Sequence, residues 1–121
     1  MKPIAFFQCE SCPEVLISIA PARGCALKPV TANTVDASLE KHVPVLAFEG
    51  DKLIVKVGAA AHPMIPEHYI EWVLVQTKDG GQYRTLKPGE APEAVFPLSK
   101  EQVADVYAYC NLHGLWKAAL R

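Results

Sequence analysis

The chain has 121 residues, half of them hydrophobic, with 12 basic and 13 acidic side chains and a formal charge of −1. That length suits one domain, or one domain with a small appendage, and the apolar fraction is enough for a real core. The charge balance offers no basic face for nucleic acid or an anionic membrane, and no apolar run is long enough for a membrane span.

The first apolar residues, Ile4 to Phe7, run straight into Gln8-Cys9-Glu10-Ser11-Cys12. This run is too short for a signal peptide and no small-residue cleavage site follows it. A cytoplasmic, reducing location is expected, where four cysteines read as metal or redox ligands rather than as a disulfide frame. Residues 1–33 look like a separate small unit: Cys9 and Cys12 form a C-x-x-C pair, Cys25 follows, and Val15 to Ile19 reads as a short strand. A unit this small needs a metal or a docking partner to hold it. Thr31 to Ser38 reads as a linker.

From Leu39 onward the pattern is all-β. His42–Phe48 and Lys52–Val57 are β-branched runs around the hairpin signal Glu49-Gly50-Asp51. Residues 59–67 contain Pro63 and Pro66 and read as a loop, with Pro63 forcing extended backbone at His62. His68–Thr77 is the longest strand expected, with Ile70, Trp72 and Leu74 on one face and Tyr69, Val73 and Val75 on the other. Gln82–Leu86 returns after Asp79-Gly80-Gly81, Lys87-Pro88-Gly89 turns again, and Ala94–Phe96 is short. Residues 99–102 read as a turn or one helical turn. Val103–Tyr109 and Leu115–Leu120 complete the set, with helix the alternative for 99–109. About seven short strands punctuated by turns suggest an immunoglobulin-like β-sandwich, without the Cys…Trp…Cys core of antibody domains.

The candidate chemistry centres on Cys110-Asn111-Leu112-His113-Gly114, a thiol and an imidazole on a tight turn closed by glycine. Such donors suit a transition metal. The other histidines are His42, His62 and His68; if all converge, the site is four imidazoles and one thiolate. A lone histidine is ordinarily a hydrogen-bonded structural residue, and Trp72 and Trp116 read as core or rim. Composition and spacing alone therefore reach an all-β domain with a His/Cys metal site.

Five blocks carry a resemblance: Glu40-Lys41-His42-Val43-Pro44-Val45; Val57-Gly58 with Ala61-His62-Pro63-Met64; Glu67-His68-Tyr69-Ile70-Glu71-Trp72; Leu86 to Ala94; and Tyr109 to Lys117. In this order they resemble the superoxide reductases, the desulfoferrodoxins and neelaredoxins, over roughly residues 39–118. The resemblance implies an immunoglobulin-like iron domain over residues 34–121, with one mononuclear non-haem iron per chain. His42, His62, His68 and His113 would be its equatorial ligands and Cys110 its axial thiolate. It implies an enzyme, a superoxide reductase, that reduces superoxide by one electron to hydrogen peroxide. Lys41 would steer and hold the anion, and Glu40 would close onto the oxidised iron, both from a loop. The backbone N–H groups of the Cys110 turn are expected to tune the thiolate, with Asn111→Pro as the probe.

Two-domain relatives carry a desulforedoxin-like iron unit with four cysteines, a C-x-x-C pair and an adjacent Cys-Cys pair. Here Gly24 and Ala26 flank a single Cys25, so residues 1–33 are expected to form a degenerate unit. It would bind no rubredoxin-like iron, or hold metal weakly through a non-cysteine fourth ligand; a Cys9–Cys12 disulfide is the alternative. The electron would then come from an external donor, with rubredoxin the family expectation, and a homodimer is implied. A non-catalytic electron carrier or iron-binding sensor on the same site is the competing function, and a metal-free immunoglobulin-like binding module a third.

Overall fold

The computed structural model describes residues 4–9, 15–18 and 27–119, and the chain divides into two compact units, Met1–Thr31 and Ala32–Arg121. In the first, β1 (Ala5–Cys9) is the central strand of a three-stranded antiparallel sheet between β2 (Val15–Ser18) and β3 (Leu27–Val30). Phe6 pairs with Ile17 on one side and Val30 on the other and is buried. Cys12, Cys25 and the side chain of Cys9 lie outside the described residues, and so does the expectation of an incomplete four-thiolate site.

The second unit begins with a stretch that is not a free linker. Asn33 donates its backbone N–H to the Leu115 carbonyl at 3.0 Å, while its side chain accepts from Lys117 N–H at 2.8 Å and donates to Lys117 O at 3.0 Å. Its φ of 62° is a left-handed conformation that asparagine tolerates better than most residues.

A four-residue helix, α1 (Leu39–His42), follows, where a strand reaching from His42 to Phe48 is expected. The Ser38 hydroxyl accepts the Lys41 N–H at 3.3 Å as an N-cap. Pro44 holds Val43 extended (φ −71°, ψ 123°), which ends the helix and delays the strand to β4 (Pro44–Glu49). Glu40, Lys41 and His42 thus sit on a helical turn rather than a loop or strand.

β4 joins β5 (Lys52–Val57) through Gly50-Asp51, where Gly50 takes φ 61°. β6 (Ile70–Thr77) pairs with β7 (Gly81–Thr85), and β8 (Glu93–Phe96) returns to pair with β5. A 3-10 turn over Lys100–Gln102, capped by Ser99, leads into β9 (Val103–Cys110), and β10 (Gly114–Ala119) closes the unit. Two antiparallel sheets result, β10-β9-β6-β7 and β4-β5-β8. Leu53, Val55 and Phe96 from one sheet meet Ile70, Val73 and Val106 from the other in a common core, all fully buried. Each such burial stabilises the fold by about 1.5–3 kcal/mol. This is the seven-stranded sandwich expected.

The strand β6 departs from simple alternation. Its register against β9 shifts between Ile70 and Trp72, a bulge at Glu71. The extra residue reverses the phase, so Ile70 shares the core face with Val73 and Val75 rather than with Trp72. Trp72 instead stacks on Tyr109, with ring centroids 5.5 Å apart and planes 10° from parallel.

The register also brings the functional segments together. The terminal pairs are Pro44 with Val57, Ile70 with Cys110, and Cys110 with Gly114. The start of β4, the loop after β5, the approach to β6 and the β9–β10 turn therefore leave from strand ends that the pairing aligns.

Candidate metal centre

Four imidazoles form a closed ring of edge-to-face neighbours. Centroid separations are 4.7 Å for His42–His62, 4.6 Å for His62–His68, 5.0 Å for His68–His113 and 4.9 Å for His113–His42. The diagonal His42–His68 is longer, 6.4 Å, so the rings occupy the corners of a square. Adjacent planes stand 72° to 87° apart.

Hydrogen bonds aim the rings inward. His42 Nδ1–H donates to the Ser38 carbonyl at 2.6 Å and His62 Nδ1–H to the Pro63 carbonyl at 2.7 Å. A carbonyl can only accept, so each neutral ring keeps its proton on Nδ1 and presents an Nε2 lone pair. Those two Nε2 atoms face each other at 3.2 Å, and His42 Nε2 lies 3.1 Å from His113 Nδ1. Two lone pairs at that distance repel, and no proton is available between His42 and His62 to bridge them. His68 Nε2 is buried without a hydrogen-bond partner. Cys110, a free and fully buried cysteine, places Sγ 3.8 Å from His113 Nδ1. The ligand atoms of His42, His68, Cys110 and His113 all lie within 4.8 Å of one another, and His62 joins them through His42.

A transition metal fits this donor set. Nitrogens about 2.1 Å from one ion and at right angles to each other stand about 3.0 Å apart, close to the 3.1 and 3.2 Å found. Each inward lone pair then has an electrophile, and the orphaned His68 nitrogen gains a partner. The carbonyls on His42 and His62 are the outer partners that fix tautomer and ring direction in metal-bound histidines.

Electrostatics favour the neutral, ligating form at His42, His62 and His68. Burial, most of all, lowers the pKa of His42, His62 and His68, taking His62 to about 4. The neighbouring imidazoles add to this in all three, and the Lys41 ammonium adds to it at His42 and His68. Burial raises the Cys110 thiol, and the nearby Glu71 carboxylate raises it further, while the backbone N–H groups of His113 and Leu112 pull it down. The His113 N–H is 3.4 Å from Sγ. Asn111 does not contribute to this effect: its N–H goes to the Tyr69 carbonyl at 3.2 Å. The expected probe Asn111→Pro is therefore misplaced, and Leu112 is the position whose removal tests the thiolate.

Lys41 and Glu40 are both exposed beside buried His42. Two further residues shape the site without having been singled out for it, and a third, Asn111, does so in another way than expected. Trp116, read as core or rim, stacks on His42 (centroids 4.7 Å, planes 25°) and its indole N–H donates to the His113 carbonyl at 3.0 Å. Gly58 lies against the backbone of Glu40–Val43. Asn111 ties the Cys110 turn to the segment carrying His68. Only the glycine-closed turn and the proline after His62 hinted at such supports.

A β-sandwich that gathers four imidazoles and one thiol in this way carries a donor set suited to a single, non-haem metal ion. The profile described as Desulfoferrodoxin matches residues 34–119. A desulfoferrodoxin of Syntrophotalea carbinolica is 42% identical over 123 residues, covering 97% of each chain. A superoxide reductase of Pyrococcus horikoshii is 36% identical over 105 residues, covering 72% of this chain and 91% of its own. Among solved structures, the superoxide reductase from Treponema pallidum superposes with a TM-score of 0.81 at 41% identity, covering 97% of this chain and 99% of that one. The chain belongs to the desulfoferrodoxin family.

Proposed function

We propose that this chain is a superoxide reductase, with His42, His62, His68, His113 and Cys110 as the ligands of one non-haem iron. The reading is carried by one observation: four imidazoles, two of them buried with their tautomer fixed, crowd their ring nitrogens together beside a buried thiol.

Iron(II) held there supplies the single electron that, with two protons, converts superoxide to hydrogen peroxide. The chain's own residues do the rest. Ser38 and Pro63 carbonyls hold the His42 and His62 rings in the ligating tautomer. The Cys110 thiolate donates electron density, moderated by the His113 and Leu112 N–H groups. Lys41, exposed and close enough to depress His42 and His68, draws the small anion in and holds it. Glu40, one residue away and also exposed, is proposed to approach the oxidised centre.

The reaction consumes one electron per turnover, so an external one-electron donor must restore the reduced state; a rubredoxin-type protein is the proposed class. Residues 1–33 are proposed to bind no second, rubredoxin-like iron, because only Cys25 stands where a Cys-Cys pair is needed. A homodimer and a reducing, cytoplasmic setting complete the proposal. Among the described residues no helix is long and apolar enough to cross a membrane.

The test is metal content per chain on protein produced with iron, with the visible spectrum of the oxidised form and the gas balance on adding superoxide. One iron, a thiolate-to-ferric charge-transfer band, and peroxide formed without oxygen evolution are expected. Two irons with a rubredoxin-like spectrum would overturn the claim about residues 1–33 alone. No iron uptake on reconstitution would overturn the enzyme.

A further inference from the structure

Asn111 occupies a position that the metal site does not need chemically. It is not a ligand, and its N–H does not face the thiolate. It makes three hydrogen bonds, all to one short segment. Its backbone N–H donates to the Tyr69 carbonyl at 3.2 Å, its Oδ1 accepts the Tyr69 N–H at 2.9 Å, and its Nδ2 donates to the Glu67 carbonyl at 3.1 Å. The residue between those two anchor points is His68.

The strand geometry explains why a side chain is used. The β6–β9 ladder ends at Ile70 paired with Cys110. Beyond it the chain turns back through residues 111–113 into β10, and after the single backbone bond from Asn111 N–H to the Tyr69 carbonyl the Asn111 side chain takes over the pairing with residues 67–69. The Asn111 amide presents one acceptor and one donor, the same pair a strand residue would present, and continues the ladder past its end. His42 and His62 have their rings anchored by carbonyls. Among the described residues no hydrogen bond anchors the His68 ring; its backbone is held by the paired bonds to Ile65 (3.0 and 3.1 Å) and by Asn111 acting on both neighbours.

Resting on the metal-centre reading, we infer that Asn111 is a positioning residue: it sets His68 against Cys110 and His113 by bracing the Glu67–Tyr69 segment against the turn that carries the other two. The molecule provides its own control. Asn33 braces β10 with the same three kinds of bond, to Leu115 and Lys117, but no candidate ligand lies in the segment it holds.

The experiment compares full-length wild type, Asn111→Ala, Asn111→Asp and Asn33→Ala. Fe(II) affinity is read by competition with a chromophoric chelator, and the site by the ferric charge-transfer band and the Co(II) spectrum of the substituted protein. Asn111→Ala is expected to weaken Fe(II) binding roughly 10–100-fold and to shift both spectra. Asn111→Asp keeps the acceptor for Tyr69 but sets a carboxylate against the Glu67 carbonyl, and should show the same changes to a smaller extent. Asn33→Ala, whose braced segment carries Trp116 but no ligand, should lower the thermal midpoint and change affinity and spectra less than Asn111→Ala does. The inference is overturned if the affinity and spectra of Asn111→Ala depart from wild type no more than those of Asn33→Ala do. Should Asn111→Ala not fold, Asn111→Asp decides by the same readings, and wild-type values there overturn it equally. A wild-type chain that takes up no iron would sink the functional reading instead, and the Co(II) comparison keeps the two failures apart.

Discussion

Gly58→Ala is a one-methyl change outside the donor set that should damage the site. A β-carbon built at Gly58 would stand 2.6 Å from the Glu40 carbonyl oxygen, 2.9 Å from that of Val43 and 3.0 Å from the Lys41 carbonyl carbon. Ordinary contact begins near 3.4 Å, so one of the two backbones must move by about 0.8 Å. The Glu40 carbonyl is also held by the same loop, accepting the Ala60 N–H at 3.1 Å, and the contacting atoms are all backbone, so there is no flexible side chain to yield. What moves is the helical turn that carries Glu40, Lys41 and His42, and metal sites tolerate only about 0.2 Å in ligand distance. Overpacking of this kind costs about 1–3 kcal/mol, or roughly 4–8 °C in thermal midpoint per kcal/mol for a domain of this size. The assay is the thermal midpoint of metal-free protein and iron per chain after reconstitution, beside Gly80→Ala, whose β-carbon would meet nothing within 4 Å. The expected result is a lowered midpoint and reduced iron for Gly58→Ala, with neither change for the control. Full iron occupancy, an unchanged charge-transfer band and an unchanged midpoint in Gly58→Ala would refute the reasoning.

Lys41→Ala should slow the reaction with superoxide roughly tenfold and flatten its ionic-strength dependence with iron content unchanged; pulse radiolysis at two salt concentrations checks this, and an unaltered salt dependence counts against steering. Leu112→Pro removes one N–H from the thiolate, so with iron retained the reduction potential should fall, because the sulfur donates more strongly; an unshifted potential in electrochemical titration would deny the tuning. In metal-free protein the folded pKa of His62 is about 4 against 6.5 for the free side chain, so the unfolded chain takes up the proton first. Stability should be full above about pH 6.5 and fall as the pH drops toward 4, with denaturant midpoints across that range as the measurement. A midpoint that rises on acidification would reverse the assignment.

The sequence carried the donors and the sandwich more clearly than the devices that hold them. Strand lengths, the Gly50 hairpin and the Cys110–Gly114 turn were legible because β-branched runs and turn residues act locally. The phase of β6 was not, since a bulge at Glu71 is decided by pairing with β9, not by any feature of residues 70–77 themselves. The helical turn at Leu39–His42 is not legible in the sequence, where Glu40 and Lys41 read as loop and His42 as the start of a strand, because the Ser38 cap and Pro44 override the apolar pattern that begins at Val43. The roles of Asn33, Asn111 and Gly58 depend on residues 15 to 84 positions away, and no local spacing records such partners.

The distribution of rigidity over the site suits the proposed chemistry. Cys110, fully buried, ends a central strand, and Trp116 on the next strand stacks on His42 while holding the His113 carbonyl. These groups would face the iron in both oxidation states, and any slack in them would change its potential between turnovers. Glu40 and Lys41 stand on the exposed side of a four-residue helix, too short to be stable by its own hydrogen bonds. A group that must admit an anion, hold it and then let peroxide leave needs that freedom. His42 belongs to both halves: its ring is locked by Ser38 and Trp116, and its backbone continues directly into Lys41. Placing the fixed ligand and the mobile cation on adjacent residues lets the side chains move while the ligand does not. For the same reason the backbone beneath them, pressed against Gly58, has so little tolerance.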